Sequence, residues 1–298
     1  MSAGEPPRTL AMVALLAGAA AIGTSALFVK VSEVGPVASA FWRVFLALPV
    51  LWLWASLENR HHPPMEPPGS LRLVVLAGVF FAGDLAVWHW SIVLTSVANA
   101  TLLANCAPIF VTLAAWLLLR RRPSALFLAG LATALAGITL LLRGDFQHAG
   151  SALVGDALGI VTAMFYAAYQ LTVTRARQTV STARMMAISG AVTALILLPL
   201  ALLSEDRLVP ASMHGWLVLL GLALIAQAAG QSLIAYAMAQ LPATFSSVGL
   251  LLQPVIAGAL AWVLLEEALT ALAIGGGVLV LIGIRIAHAA QTTSSAGA

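Results

Sequence analysis

A stretch of 31 residues occurs twice in this chain at one fixed spacing, and that duplication limits the folds open to it more than any other feature. Moved forward by 146 positions, Pro108 falls on Pro254, Trp116 on Trp262, Gly130 on Gly276 and Gly137 on Gly283. No gap is needed, and 11 of the 31 aligned residues are identical. A match of this length at constant offset marks an internal repeat. One short segment inside it changes character: Arg120, Arg121 and Arg122 correspond to Glu266, Glu267 and Ala268. In a membrane-spanning chain basic loops stay cytoplasmic, so the exchanged charges predict that the second copy runs through the membrane upside down. Inverted repeats in an apolar chain are a mark of secondary transporters.

Composition supports the membrane premise. Hydrophobic residues make up 61% of the chain and charged residues 8%, with a mean hydropathy of +1.00, whereas soluble domains carry roughly 25% charged residues. Apolar runs of about 20 residues are long enough to cross the hydrocarbon core as helices, and the alternating ten-residue segments of a β-barrel are missing. The fold expected is therefore an all-α polytopic membrane protein. The spans are placed at 10–29, 36–56, 71–92, 96–119, 125–142, 152–174, 183–203, 214–237, 243–265 and 270–290. The first is too closely followed by a second, and carries Lys30, to read as a cleaved leader.

With a cytoplasmic N-terminus, ten basic residues (Arg8, Arg60, Arg72, Arg120, Arg121, Arg122, Arg175, Arg177, Arg184 and Arg285) face the cytoplasm. Only Lys30, Arg143 and Arg207 face outward, and Arg43 lies within a span. That bias fixes the expected orientation. It also assigns the net charge of +3 to loops rather than to a nucleic-acid surface. Five spans precede the link from Arg143 to Ser151 and five follow, and an odd number per half inverts the second half. The expected organisation is a cytoplasmic tail at 1–9, five-helix repeats at 10–145 and 146–290, and a short tail at 291–298. The single cysteine, Cys106, excludes an intrachain disulfide and a Cys-based metal framework. His61 and His62 lie in the longest loop with no further ligand nearby, so neither a metal nor another cofactor is expected.

Polar residues interrupt five of the apolar spans. Span four carries Thr101, Asn105, Pro108 and Thr112 on one face, and Pro108 frees a carbonyl one turn earlier. Its mate, span nine, carries Ser246, Ser247, Gln253 and Pro254. Paired interrupted helices are the best sequence pointer to a transporter's site, although small and hydroxyl residues also serve helix packing. Span three holds Asp84, Trp88, Ser91 and Thr95, with His89 beside them. An intramembrane carboxylate needs a partner or a wet cavity, so Asp84 is either a coupling residue or half of a structural ion pair with Arg43. Span six presents Thr162, Tyr166, Tyr169 and Gln170, and span eight presents Gln227 and Gln231. Phosphate loops, His-Glu-x-x-His helices and Gly-x-Ser-x-Gly elbows do not occur, which leaves a pump or membrane hydrolase without support.

The pattern resembles the ten-helix drug/metabolite transporter superfamily, and within it the EamA-type exporters. The resemblance rests on Gly23, Thr24 and Ser25 with Phe28 and Lys30, and on Phe41, Trp42 and Arg43. It continues from Trp90 through Thr95, Ser96, Val97, Ala98, Asn99 and Ala100 to Pro108, at Gly155 and Asp156, and from Tyr236 through Pro254 to Glu266 and Glu267. It covers about 10–288. The basic Arg120 to Arg122 departs from the more common acidic end of the first repeat. The resemblance implies a cavity lined mainly by spans three, four, eight and nine, with one, two, six and seven rocking around it and five and ten at the periphery. By position it implies substrate contacts from Trp88, Asn105, Tyr166, Gln231 and Gln253. The function implied is export of small amphipathic metabolites such as amino acids across the inner membrane. Proton-coupled efflux of lipophilic cations and a non-transporting scaffold are the alternatives. The partners expected are a small-molecule substrate and the lipid bilayer, not nucleic acid, and nothing requires more than one copy of the chain.

Overall fold

The structure, a computed structural model, describes residues 8–61, 69–94, 97–120, 122–142, 153–205, 207–265 and 270–296. Among them lie ten helical stretches long and apolar enough to cross a membrane: Arg8–Lys30, Pro36–Arg60, Ser70–Trp88, Ala100–Leu118, Ala125–Leu142, Leu153–Ala176, Thr182–Ser204, Met213–Ala237, Ala243–Leu264 and Ala271–Ala290. They are numbered one to ten below. The expected spans are all present, and the last helix runs on to Ala296 through most of what reads in sequence as a tail. Arg121, Glu266, Glu267, His62 and the link between the halves lie outside the described residues.

Several spans are not single helices. Span one breaks at Thr24, span two between Phe45 and Leu48, span four between Ala104 and Ala107, and span nine between Gly249 and Leu252. Spans four and nine are repeat mates, and each breaks just ahead of its proline, Pro108 or Pro254. Proline has no N–H to give the preceding turn and its ring crowds that turn's carbonyl, so the local chemistry of both copies sets the same break.

Spans five and ten pair with each other more extensively than any other two elements. Glycine makes this possible. A Cβ at Gly130 would stand 2.6 Å from the Ala287 nitrogen and 2.8 Å from the Gly283 carbonyl. One at Gly137 would stand 2.6 Å from the Val280 nitrogen and 2.7 Å from the Gly276 carbonyl. Without an apolar driving force between helices in lipid, such close backbone approach is what packs them. The earlier glycine of span five meets the later glycine of span ten, so the two spans are antiparallel. Since Gly130 and Gly276 are equivalent in the repeat, the halves are inverted.

The remaining eight spans form two four-helix bundles. Spans one, two, eight and nine pack together, as do three, four, six and seven. Each bundle takes two spans from each half, and the repeat exchanges one bundle for the other. They meet along a seam between spans two and seven and another between four and nine.

The glycine contacts make a direct prediction. Gly137→Leu forces spans five and ten apart and lowers stability by about 1–3 kcal/mol, the usual cost of overpacking. Gly275→Leu, one residue from Gly276 but with open space around it, has little effect. Thermal unfolding of the purified variants in detergent checks the contrast.

Candidate functional site

The two helix breaks face each other near the middle of the spans, and span six lies across them. Together they line a small, partly open cavity of about 20 Å³, formed by Asn105 and Pro108 from span four, Tyr166 and Gln170 from span six, and Ser247 and Gln253 from span nine, with nearby apolar side chains. That is room for one water molecule. Any organic solute requires the bundles to part. Among the described residues, no side chain lining the cavity carries a formal charge.

Two glutamine–tyrosine hydrogen bonds cross between the bundles beside this cavity. Gln231 Nε2 donates to Tyr169 Oη at 2.8 Å, and Gln253 Nε2 donates to Tyr166 Oη at 3.4 Å. The second is long and correspondingly weak. The tyrosine rings are stacked with centroids 6.2 Å apart, and Phe81 stacks on Tyr169 at 4.8 Å. Gln231 closes a π-helical segment, Leu222–Gln231, in the middle of span eight. Such segments concentrate at functional sites because the widened turn re-aims side chains. The segment also carries Gln227, whose Oε1 accepts from Arg43 Nε at 3.0 Å.

Arg43 and Asp84 do not form an ion pair. Their charges lie within Coulombic range of each other, but the buried guanidinium is held by Gln227 and by the Phe81 ring, 5.9 Å from the ring centroid. Of the two sequence readings of Asp84, the structural ion pair therefore gives way. A neutral amide and an aromatic face accommodate the arginine without a carboxylate, which leaves half-buried Asp84 uncommitted among the described residues.

Carboxylates fasten both ends of the seam between spans two and seven. At one face Glu205, just past span seven, accepts from the Val37 and Ala38 N–H groups at 2.6 and 3.1 Å. These are free donors of the first turn of span two, where a negative charge is favoured. At the opposite face Glu58, near the end of span two, accepts from the hydroxyl of Ser181, the N-cap of span seven, at 2.6 Å. Gly35 and Ser181, the two N-caps, are equivalent at the 146 offset, so equivalent helix starts are each held by a carboxylate, one through backbone N–H groups and the other through a hydroxyl. Glu33 adds a third contact, accepting from the Ala211 and Ser212 N–H groups and the Ser212 hydroxyl at the start of span eight. The bonds from Ser212 hold the Glu33 carboxyl below its ordinary value. Its contact is thus present at neutral pH and lost as pH falls through that lowered value. Burial pushes Glu205 the other way despite its two N–H donors.

A model of the EamA-like transporter family matches residues 9–143 and again 153–288. The chain belongs to the EamA-like transporter family. This EamA chain is also 26% identical over 276 residues to an uncharacterized transporter of Archaeoglobus fulgidus, covering 90% of the chain and 93% of the relative. It is 27% identical over 214 residues to the pseudopaline exporter CntI of Pseudomonas aeruginosa, covering 72% and 73%. A solved crystal structure superposes with a TM-score of 0.80 at 19% identity, over 94% of this chain and 97% of that one, which supports the fold. The relatives are named as transporters rather than enzymes. The protein is a multi-pass membrane transporter.

The family's sequence marks acquire local reasons. In this EamA chain a Cβ at Gly23 would stand 2.9 Å from the Gln253 carbonyl, so the Gly23, Thr24 and Ser25 motif seats broken span one against broken span nine. Trp42 donates from Nε1 to the Leu208 carbonyl at 2.6 Å and packs edge-on to Trp216, tying the start of span two to the loop before span eight. Of the expected contacts, Asn105, Tyr166 and Gln253 come together on the cavity, and Gln231 does not line it but bonds Tyr169, whose ring stacks on Tyr166. Trp88 does not line it. Spans four and nine contribute as expected, but span six replaces three and eight. Thr95, Ser96 and the side chain of His89 fall outside the described residues.

Removing the partner of a buried cation tests this arrangement. Gln227→Leu strands Arg43 Nε and costs about 1–3 kcal/mol, whereas Asp84→Asn, which breaks no direct bond to Arg43, costs less. Urea or thermal unfolding of the two variants in detergent distinguishes them.

Proposed function

We propose that this EamA protein exports small polar metabolites, amino acids foremost, from the cytoplasm across the inner membrane by alternating access, with both termini cytoplasmic. The observation that carries this reading is the uncharged polar cavity at the facing helix breaks. Amides and phenols can hydrogen-bond a carboxylate, an ammonium or a hydroxyl without imposing a charge of their own. The name of the Pseudomonas relative supports the direction, and the basic loops support the orientation.

In this mechanism the bundle of spans one, two, eight and nine tilts against that of three, four, six and seven. Parting at the outer face releases Glu205 from the first turn of span two while Glu58 keeps its hold on Ser181. Parting at the inner face does the reverse. Either movement separates the glutamine–tyrosine pairs and widens the cavity, with the substrate held by Asn105, Tyr166, Gln231 and Gln253. Spans five and ten, locked together through glycine, stay at the side.

A second reading, proton-coupled efflux of lipophilic cations, is favoured by the lack of an ion pair at Asp84. Vesicles holding the purified protein decide between them. We expect efflux of labelled amino acids that survives Asp84→Asn, and little movement of tetraphenylphosphonium. Movement of tetraphenylphosphonium alone, driven by a pH gradient and abolished by Asp84→Asn, would replace the first reading with the second.

A further inference from the structure

We infer that Gln170 is the residue by which this transporter selects its substrate, and that the group it selects carries a hydrogen-bond donor and an acceptor side by side. The inference rests on the export reading above and narrows its substrate class. Gln170 is fully buried, yet neither Nε2 nor Oε1 has a hydrogen-bond partner among the described residues. Its neighbouring amides each make at least one bond, although Gln231 Oε1 has no partner among the described residues. Asn105 turns its amide back to the Thr101 carbonyl at 2.8 Å, and Gln253 and Gln231 each give a proton to a tyrosine. Burying an amide with nothing to bond is unfavourable, and apolar residues of similar volume would fill span six without that cost. Gln170 is one of the residues that line the cavity, so a ligand that widens the cavity comes within reach of its amide.

The chemistry of the amide defines that ligand. Nε2 donates and Oε1 accepts, about 2 Å apart, so both are satisfied by one group bearing an acceptor next to a donor. The α-carboxylate and α-ammonium of an amino acid do this, as does a primary carboxamide. A quaternary ammonium or phosphonium ion has no donor and leaves both atoms unbonded. A site built around hydrogen bonds rejects a ligand that cannot make them much more strongly than an apolar site rejects a misfit. Gln170 thus favours zwitterionic and amide-bearing solutes over lipophilic cations. Sequence alone places Gln170 beside Tyr166 but cannot show that its partners are missing.

The test is Gln170→Leu, with Gln170→Asn as the conservative companion, in the purified full-length protein. Because the leucine removes a buried unsatisfied amide, its melting temperature should equal or exceed that of the wild type. A residue serving only to hold the fold would lower it, and a clear fall overturns the inference. In reconstituted vesicles loaded with the twenty labelled proteinogenic amino acids, Gln170→Leu should slow efflux of whichever of them the wild type moves by roughly tenfold, the loss of one or two hydrogen bonds. Gln170→Asn should retain part of the rate. Equal efflux from wild type and Gln170→Leu overturns the assignment of Gln170 alone. A wild-type protein that moves none of the twenty overturns the export reading, and the substrate class inferred here falls with it.

Discussion

Two helices of this protein touch backbone to backbone, and the geometry of the rest follows from that contact. In lipid an apolar side chain gains nothing by leaving the hydrocarbon, so helices associate where small residues allow close approach and where polar groups can find one another. Gly130 and Gly137 on span five lie against Gly283 and Gly276 on span ten. Because each glycine meets its non-equivalent counterpart, the only consistent arrangement is an antiparallel one. The same inversion then places the two proline breaks opposite each other and puts a carboxylate at each end of the seam between spans two and seven.

The polar groups of the interior answer to the same lipid constraint. A buried arginine is costly, and Arg43 is accommodated by an amide and an aromatic ring rather than by the nearest acid. The π-helical segment of span eight places two glutamines for this purpose, one toward Arg43 and one toward Tyr169. What results is a group of neutral donors and acceptors around a space the size of a water molecule, with carboxylate fastenings at both ends of the seam between spans two and seven. Those fastenings are one hydrogen bond at Glu58 and two at Glu205, few enough to exchange with the movement of two bundles.

Much of this was legible in the sequence because it is periodic or local. Apolar length set the ten spans, the constant offset set the repeat, and Pro108 and Pro254 set the breaks. The charge swap at Arg120 to Arg122 pointed to the inversion that the glycine contacts carry independently. What the sequence could not supply was the pairing of side chains far apart in the chain. Arg43 and Asp84 were matched as the lone opposite charges within spans, a rule that ignores the option of an amide partner such as Gln227. Trp88 was carried over from the family by position alone, and position along a span does not reveal which way the helix is turned. Gln170 stood in plain view on the polar face of span six. Its telling property, that neither amide atom has a hydrogen-bond partner among the described residues, exists only once the neighbouring helices are in place.

The inversion is tested most directly at two equivalent positions of the repeat, Ser124 and Thr270, which are 146 residues apart and both exposed. Single cysteines introduced there, in a chain whose Cys106 is replaced by alanine, are exposed to a membrane-impermeant thiol reagent in sealed cells and in inside-out vesicles. The account predicts that one position reacts only from outside and the other only from within. Reaction of both from the same side would contradict it.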